Sequence, residues 1–223
     1  MRVKWYGDKR DLVKWSTVLE LARRVGVHKV LQVTCLVPDG YKGTVDERAL
    51  LVEDFGAEIA EAVWQHFRDL EGITEIGAEL GIDVMLVRDE YPVPVAERDG
   101  YFEMVAEKWL LPDREPIIVF LDPDTGLGAT RTHVLPRQLE TVKRALKPGD
   151  WLVFYQHAPM YEQKGVDWRE QAQQNLAEAF DVPAGDVMRR SCAAAKDVLF
   201  LIWEADRAAH GDGAAISRLL GGR

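Results

Sequence analysis

Two aspartates, Asp122 and Asp124, stand two residues apart in the run PIIVFLDPDTGL, residues 116–127. A carboxylate held where an apolar strand ends can orient an attacking nucleophile or accept its proton. Two carboxylates together can instead share a divalent metal ion. His157 closes a second apolar run, WLVFYQH, and adds a nitrogen base or ligand. Each has a duller alternative: the aspartates as turn or helix caps, the histidine as a structural residue. With His133, another nitrogen donor, Asp122, Asp124 and His157 would make a loose metal site for hydrolysis.

The elements that must position these residues follow from periodicity. Residues 117–121 are apolar and rich in β-branched side chains, then stop at Asp-Pro and Thr-Gly, which reads as a buried strand emptying into a tight turn. Ligands of open parallel sheets sit just beyond the carboxyl ends of the strands, so Asp122 and Asp124 are expected at that rim. Asp8 caps a helix over 9–25, with Leu12, Trp15, Leu19 and Ala22 in register and Gly26 as its stop. Strands are expected at 29–36, 82–87, 92–96, 117–121, 151–157, 187–191 and 198–203, the third weakened by Pro92 and Pro94. Helices are expected near 53–70, 74–80, 100–111, 136–146 and 167–180, with a short one at 214–220 in a flexible tail over 205–223. Alternating strands and helices predict one Rossmann-like α/β domain, a three-layer sandwich over 1–223. Its seven-stranded sheet is mostly parallel, and the last two strands, with no helix between them, pair antiparallel.

Composition sets bounds. A net charge of −9 excludes phosphate neutralisation over the whole surface, so RNA or DNA would have to meet a local basic patch. Lys4, Lys9, Arg10 and Lys14 at one end of the chain and Arg189 and Arg190 near the other are the candidates, with a solvated face as the alternative. No apolar run is long enough to span a bilayer, no leader-like apolar core opens the chain, and Cys35 and Cys192 lie far apart. These features predict a cytoplasmic protein with reduced thiols and no membrane partner. Seven tryptophans supply either core or interface.

Three segments carry a resemblance. LKPGD followed by WLVFYQH, just after the Asp122 strand, resembles the middle of class I S-adenosylmethionine-dependent methyltransferases. YGDKRDLVKW resembles the opening helix of the adenine-N6 methyltransferases of large-subunit ribosomal RNA, with Gly7, Asp11 and Lys14 matching. AERDGYFEMVAEKWLLPDREPIIVFLDPDTGL is similar to that family's run from an Asp-Gly-Phe motif to Asp-Pro-Pro-Tyr, with Asp99 and Gly100 on the first motif and Asp122 and Pro123 on the second. The resemblance covers about two thirds of the chain and implies S-adenosylmethionine as cofactor. It implies that Asp99, at a strand end, accepts a hydrogen bond from the cofactor's adenine, and that Asp122 handles the nucleophilic amine. Lys14 would reach the cofactor carboxylate, Asp89 and Glu90 its ribose, and the loop bearing Gly40 its backbone-lined pocket. An ordinary Asp-Gly turn, a solvated lysine and a solvated acidic loop are the alternatives.

The chain departs from that pattern in two places. The first strand ends TCLVPDGYKG, without a terminal acid and with Pro38 in place of a small residue, and Asp124-Thr125 replace the proline and the base-stacking aromatic. DPDTGL is also similar to the Asp-x-Asp-Gly-Thr-Leu nucleophile motif of haloacid-dehalogenase-like phosphatases, with Thr and Gly exchanged. A metal-dependent hydrolase using Asp122 and Asp124 is thus the second expectation. A catalytically inactive methyltransferase-like scaffold is the third.

Overall fold

β3 (Ile118–Leu121) is buried along its whole length because it lies inside the sheet and helices cover both of its faces. The computed structural model of the chain describes residues 7–35, 55–66, 72–92, 95–128, 133–159 and 165–205. Among these, β1 (Lys29–Val33), β2 (Asp83–Val87), β3, β4 (Trp151–His157), β5 (Met188–Cys192) and β6 (Ala195–Glu204) form a six-stranded sheet in the order β2-β1-β3-β4-β6-β5. β1 pairs in parallel with β2 and β3, and β3 with β4; β6 runs antiparallel between β4 and β5. The chain places β2 on one side of β1 and then crosses back to place β3 on the other. The carboxyl ends of β1 and β3 therefore flank a topological switch point, the place where sheets of this kind open a ligand crevice.

Side-chain alternation divides the core in two. Val30, Ile118, Phe120 and Val153 face α1 (Lys9–Val25) and α2 (Ala57–His66). Leu31, Val33, Val119, Leu121 and Phe154 face α3 (Arg98–Trp109), α4 (Pro136–Ala145) and α5 (Trp168–Phe180). α1 starts in a capping box: the Asp8 carboxylate accepts from the Arg10 and Asp11 amides, and the Asp11 carboxylate accepts from the Asp8 amide. It stops at Gly26 in the left-handed conformation, and every residue from 11 to 22 is buried.

The LKPGD turn has a structural explanation at the opposite edge of the sheet. Asp150 is fully buried, accepts from the amides of Ile117 (3.0 Å) and Lys147 (2.7 Å), and takes both terminal nitrogens of Arg114 at 2.5 and 3.3 Å. It staples the amino ends of β3 and β4.

Several expectations change. Six strands, not seven, are present among the described residues. The strand expected at 92–96 is absent over its described part: Val95–Glu97 form a 3-10 turn leading into α3. Two prolines there remove ladder donors, and residues 93–94 lie outside the described set. The helix expected at 74–80 is two 3-10 turns, Gly72–Glu75 and Ala78–Leu80. Gly77 between them leaves no room for a side chain, since a Cβ would stand 2.4 Å from the Ile82 carbonyl oxygen. The closing hairpin is longer than expected, because cross-strand pairing carries Lys196 and Asp197 into β6. The ends of the 53–70 helix, residues 53–54 and 67–70, and the tail from 206 onward lie outside the described residues. No described helix is long and apolar enough to cross a membrane.

Candidate functional site

Asp122 continues the ladder one step past β3, its amide donating to the Val33 carbonyl at 3.0 Å. Strand alternation sends its side chain to the α1 face with Ile118 and Phe120. It is 0 % exposed, so the expected rim carboxylate is part of the floor. Its Oδ1 lies 2.8 Å from Lys14 Nζ, and its Oδ2 accepts from Gln32 Nε2 at 3.1 Å.

Lys14 is correspondingly committed. Its ammonium also donates to Asp11 Oδ1 at 3.1 Å and rests 4.2 Å over the Tyr155 ring. The lysine is not a solvated one, with 7 % of its side chain exposed. Asp11 Oδ2 accepts from the amides of Gly7 (2.7 Å) and Asp8 (3.3 Å). Two buried carboxylates thus share one ammonium, a net −1 when both are ionised. Burial, reinforced by the Asp122 charge and opposed by Lys14, pushes the Asp11 carboxyl up to about 6. Burial works against the Lys14 ammonium, yet Asp11 and Asp122 hold its pKa well above the usual lysine value. Gln32 Oε1 is buried beside this cluster with no hydrogen-bond partner among the described residues.

A second tier lies toward the surface. Arg10 donates to Asp197 Oδ2 through Nε (2.9 Å) and Nη2 (2.5 Å), and to Asp8 Oδ2 at 3.1 Å. Burial alone would raise the Asp197 carboxyl; Arg10 outweighs it and holds the group below its ordinary value. His157 Nε2 stands 3.4 Å from the same Asp197 oxygen, and its Nδ1 lies 2.9 Å from the Ala158 carbonyl oxygen. Asp197, Arg10 and Tyr155 therefore join His157 at the carboxyl end of β4.

The DPDTGL loop is pinned across to β4. Gln156 accepts from the Leu127 amide (2.9 Å) and donates to the Thr125 carbonyl (3.2 Å), while the His157 amide donates to Thr125 O at 3.3 Å. Gly126, at φ +112°, is required: a Cβ there would meet the Gln156 carboxamide at 2.3 Å. Asp124 is half-buried in this loop. Among the described residues no three His, Cys, Asp or Glu side chains converge to hold a metal ion, so the grouping of Asp122, Asp124, His133 and His157 does not form.

Asp99 is not at a strand end. It lies in the first turn of α3, where Arg137 Nε (2.8 Å) and Gln138 Nε2 (2.9 Å) donate to its carboxylate and hold it below its ordinary value. α3 runs back against the strands, so its first turn still faces the carboxyl edge of the sheet. Gly100 is an exposed helical residue beside which a Cβ would have open space. Asp89 follows β2, exposed, 4.0 Å from Lys108 Nζ. Gly40 lies outside the described residues. Cys35, just past β1, takes a left-handed φ of +43°, a strained conformation at the switch point. Its thiol is buried and pushed up to about 12. Tyr91, Tyr101 and Phe102 pack edge to face nearby, with the Arg98 guanidinium 4.7 Å over Tyr91.

Three of the six candidate basic residues are held in internal pairs, while Arg189 is exposed and Lys9 half-buried. Lys4 lies outside the described residues; Arg10 and Lys14 are paired as above, and Arg190 holds Glu20 at 3.1 Å. Sequence reasoning matched Asp11 to a motif without giving it a role, and passed over Gln32 and Asp197. Gln32 carried a usable signal, since it is the one amide in the otherwise apolar core of KVLQV; Asp197 carried none. No protein-family model matches the chain, and no curated protein matches it.

Proposed function

We propose that the chain is a class I S-adenosylmethionine-dependent methyltransferase whose ligand enters the crevice between the carboxyl ends of β1 and β3. The observation that carries this reading is the buried acidic excess of Asp11 and Asp122 over Lys14 beneath that switch point, with Gln32 Oε1 beside it, unpartnered among the described residues. A floor of net negative charge repels the phosphates that dinucleotides bring to such crevices and favours a cationic ligand. S-adenosylmethionine fits: it has no phosphate, and its sulfonium supplies an electrophilic methyl group. The antiparallel β6–β5 closure and the resemblance of the segments around Asp11, Lys14, Asp99 and Asp122 support the same family.

The residues divide the work. Asp99 and Asp89 edge the crevice as acceptors for adenosyl donors. Asp122 holds charge from beneath. Asp124 and His157, on the pinned loop and the β4 terminus, line the side from which an acceptor amine approaches. The resemblance suggests nucleic acid as that acceptor. The metal-dependent hydrolase reading is second, because Asp122 is buried against Lys14 and no group of three metal-ligating side chains forms among the described residues.

Calorimetric titration with S-adenosylmethionine, against ADP as the phosphate-bearing comparison, tests the reading. Micromolar binding of the first and none of the second is expected, weakened at least tenfold in Asp99→Ala. Absence of S-adenosylmethionine binding would sink it. Radiolabelled transfer to RNA, DNA and protein extracts then separates an enzyme from an inactive scaffold, which would bind without turnover.

A further inference from the structure

We infer that the Asp11–Lys14–Asp122 cluster makes this crevice selective for charge and linked to protons: a sulfonium ligand is held more tightly than its neutral thioether counterpart, and its arrival drives a proton from Asp11 into solvent. This rests on the reading of the crevice given above and adds what the floor does to the ligand.

The geometry sets the sign. Asp11 faces Lys14 and Asp8 on its own helix, Asp122 beyond β3 and Tyr155 on β4. Arg10 lies one step further out and is already held by Asp197 and Asp8. The one ammonium of the cluster is divided between two carboxylates, so among the described residues one negative charge is left without its own counter-ion. Gln32, which donates to Asp122, keeps its Oε1 buried without a partner among the described residues and adds a partial negative charge beside the cluster. Burial keeps water from screening any of this, and Asp11 answers by retaining a proton to about pH 6.

A cationic centre brought to within about 10 Å, at an effective dielectric of about 20, gains on the order of tenfold in affinity over a neutral one. The same field favours the ionised form of Asp11, so the carboxyl releases its proton as the cation binds. The O–H bond of Asp11 breaks, the electron pair stays on the carboxylate, and the proton goes to buffer. After methyl transfer the product is a neutral thioether, Asp11 takes a proton back, and the tenfold preference is lost, which speeds departure of the product.

Calorimetry in two buffers of different ionisation enthalpy at pH 6 reads the proton directly. S-adenosylmethionine should release up to about half a proton and bind on the order of tenfold more tightly than S-adenosylhomocysteine, which should release none. In Asp11→Asn the release should vanish, since asparagine cannot titrate. Carboxyl-selective NMR on the unmodified protein reads the same event without a variant: the Asp11 midpoint should fall with S-adenosylmethionine and stay with S-adenosylhomocysteine. Equal affinities with no proton release, or a midpoint that does not move, would overturn the inference and leave the crevice reading standing. Failure of both ligands to bind would instead remove the crevice reading itself.

Discussion

Replacing Lys14 with methionine removes the ammonium between Asp11 and Asp122 while keeping an unbranched stem against the Tyr155 ring. Removing one partner of a buried pair costs about 3–5 kcal/mol, because the remaining charge stays buried. Here two carboxylates remain, and neither is more than 2 % exposed. The variant can recover part of the loss by protonating one of them, and each tenfold gain in that carboxylate's proton affinity returns about 1.4 kcal/mol in acid. The loss should therefore be full near pH 8 and smaller by about 2 kcal/mol or more at pH 5. Urea unfolding followed by circular dichroism at both pH values measures this, with an unchanged denaturant slope showing that the folded state is the same. Against a total stability of about 5–15 kcal/mol, a variant unfolded at pH 8 and folded at pH 5 would fit the same pattern. A loss under about 1 kcal/mol at pH 8, or one equal at both pH values, would refute the account of the cluster as a buried, acid-rich ion pair.

For Asp11, whose folded carboxyl lies near 6 against an ordinary 3.8, the stability it contributes is full below about pH 4 and is lost as pH rises through 6. Asp11→Asn should flatten that slope, removing up to about 3 kcal/mol of pH dependence between pH 4 and 7 in thermal melts. Asp150→Ala should cost about 3–5 kcal/mol in urea unfolding, since it strands Arg114 and two amides at the amino edge of the sheet. Gly126→Ala should cost about 1–3 kcal/mol from its positive φ and the Gln156 carboxamide; adding Gln156→Ala should recover only the steric part.

What sequence could read here was local, and what it missed was long-range. The Asp8 cap and Gly26 stop of α1, the strand 151–157 and the Pro136 start of α4 all follow from residues within a few positions of one another. The burial of Asp122 depends on Lys14 and Gln32, which lie far off in the chain and meet it only when α1 lies across β1 and β3. A carboxylate after a buried strand looks the same in sequence whether it meets solvent or a lysine. Asp99 moved from strand end to helix start for a nearer reason: Pro92 and Pro94 withheld the donors that the expected strand needed. Asp150, read as part of a turn motif, is a staple because Arg114 and the Ile117 amide reach it from the preceding segment.

The position of β6 bears on how the chain is made. The last described strand is an interior one, lying between β4 and β5. α1, the first described helix, relies on Asp122 after β3, Arg190 on β5 and Asp197 on β6 for three of its ion pairs. During synthesis the helix leaves the ribosome long before any of these partners exist. Lys14 must wait for Asp122 and Tyr155, and the part of the apolar flank that meets β5 and β6 stays exposed until the final hairpin has slotted in beside β4. Contacts of such sequence separation slow folding, and the exposed flank is a surface on which chaperones act. A nascent chain halted before residue 195 would thus carry an amino-terminal helix able to reach β1 and β3 but lacking β6 and its Asp197 partner.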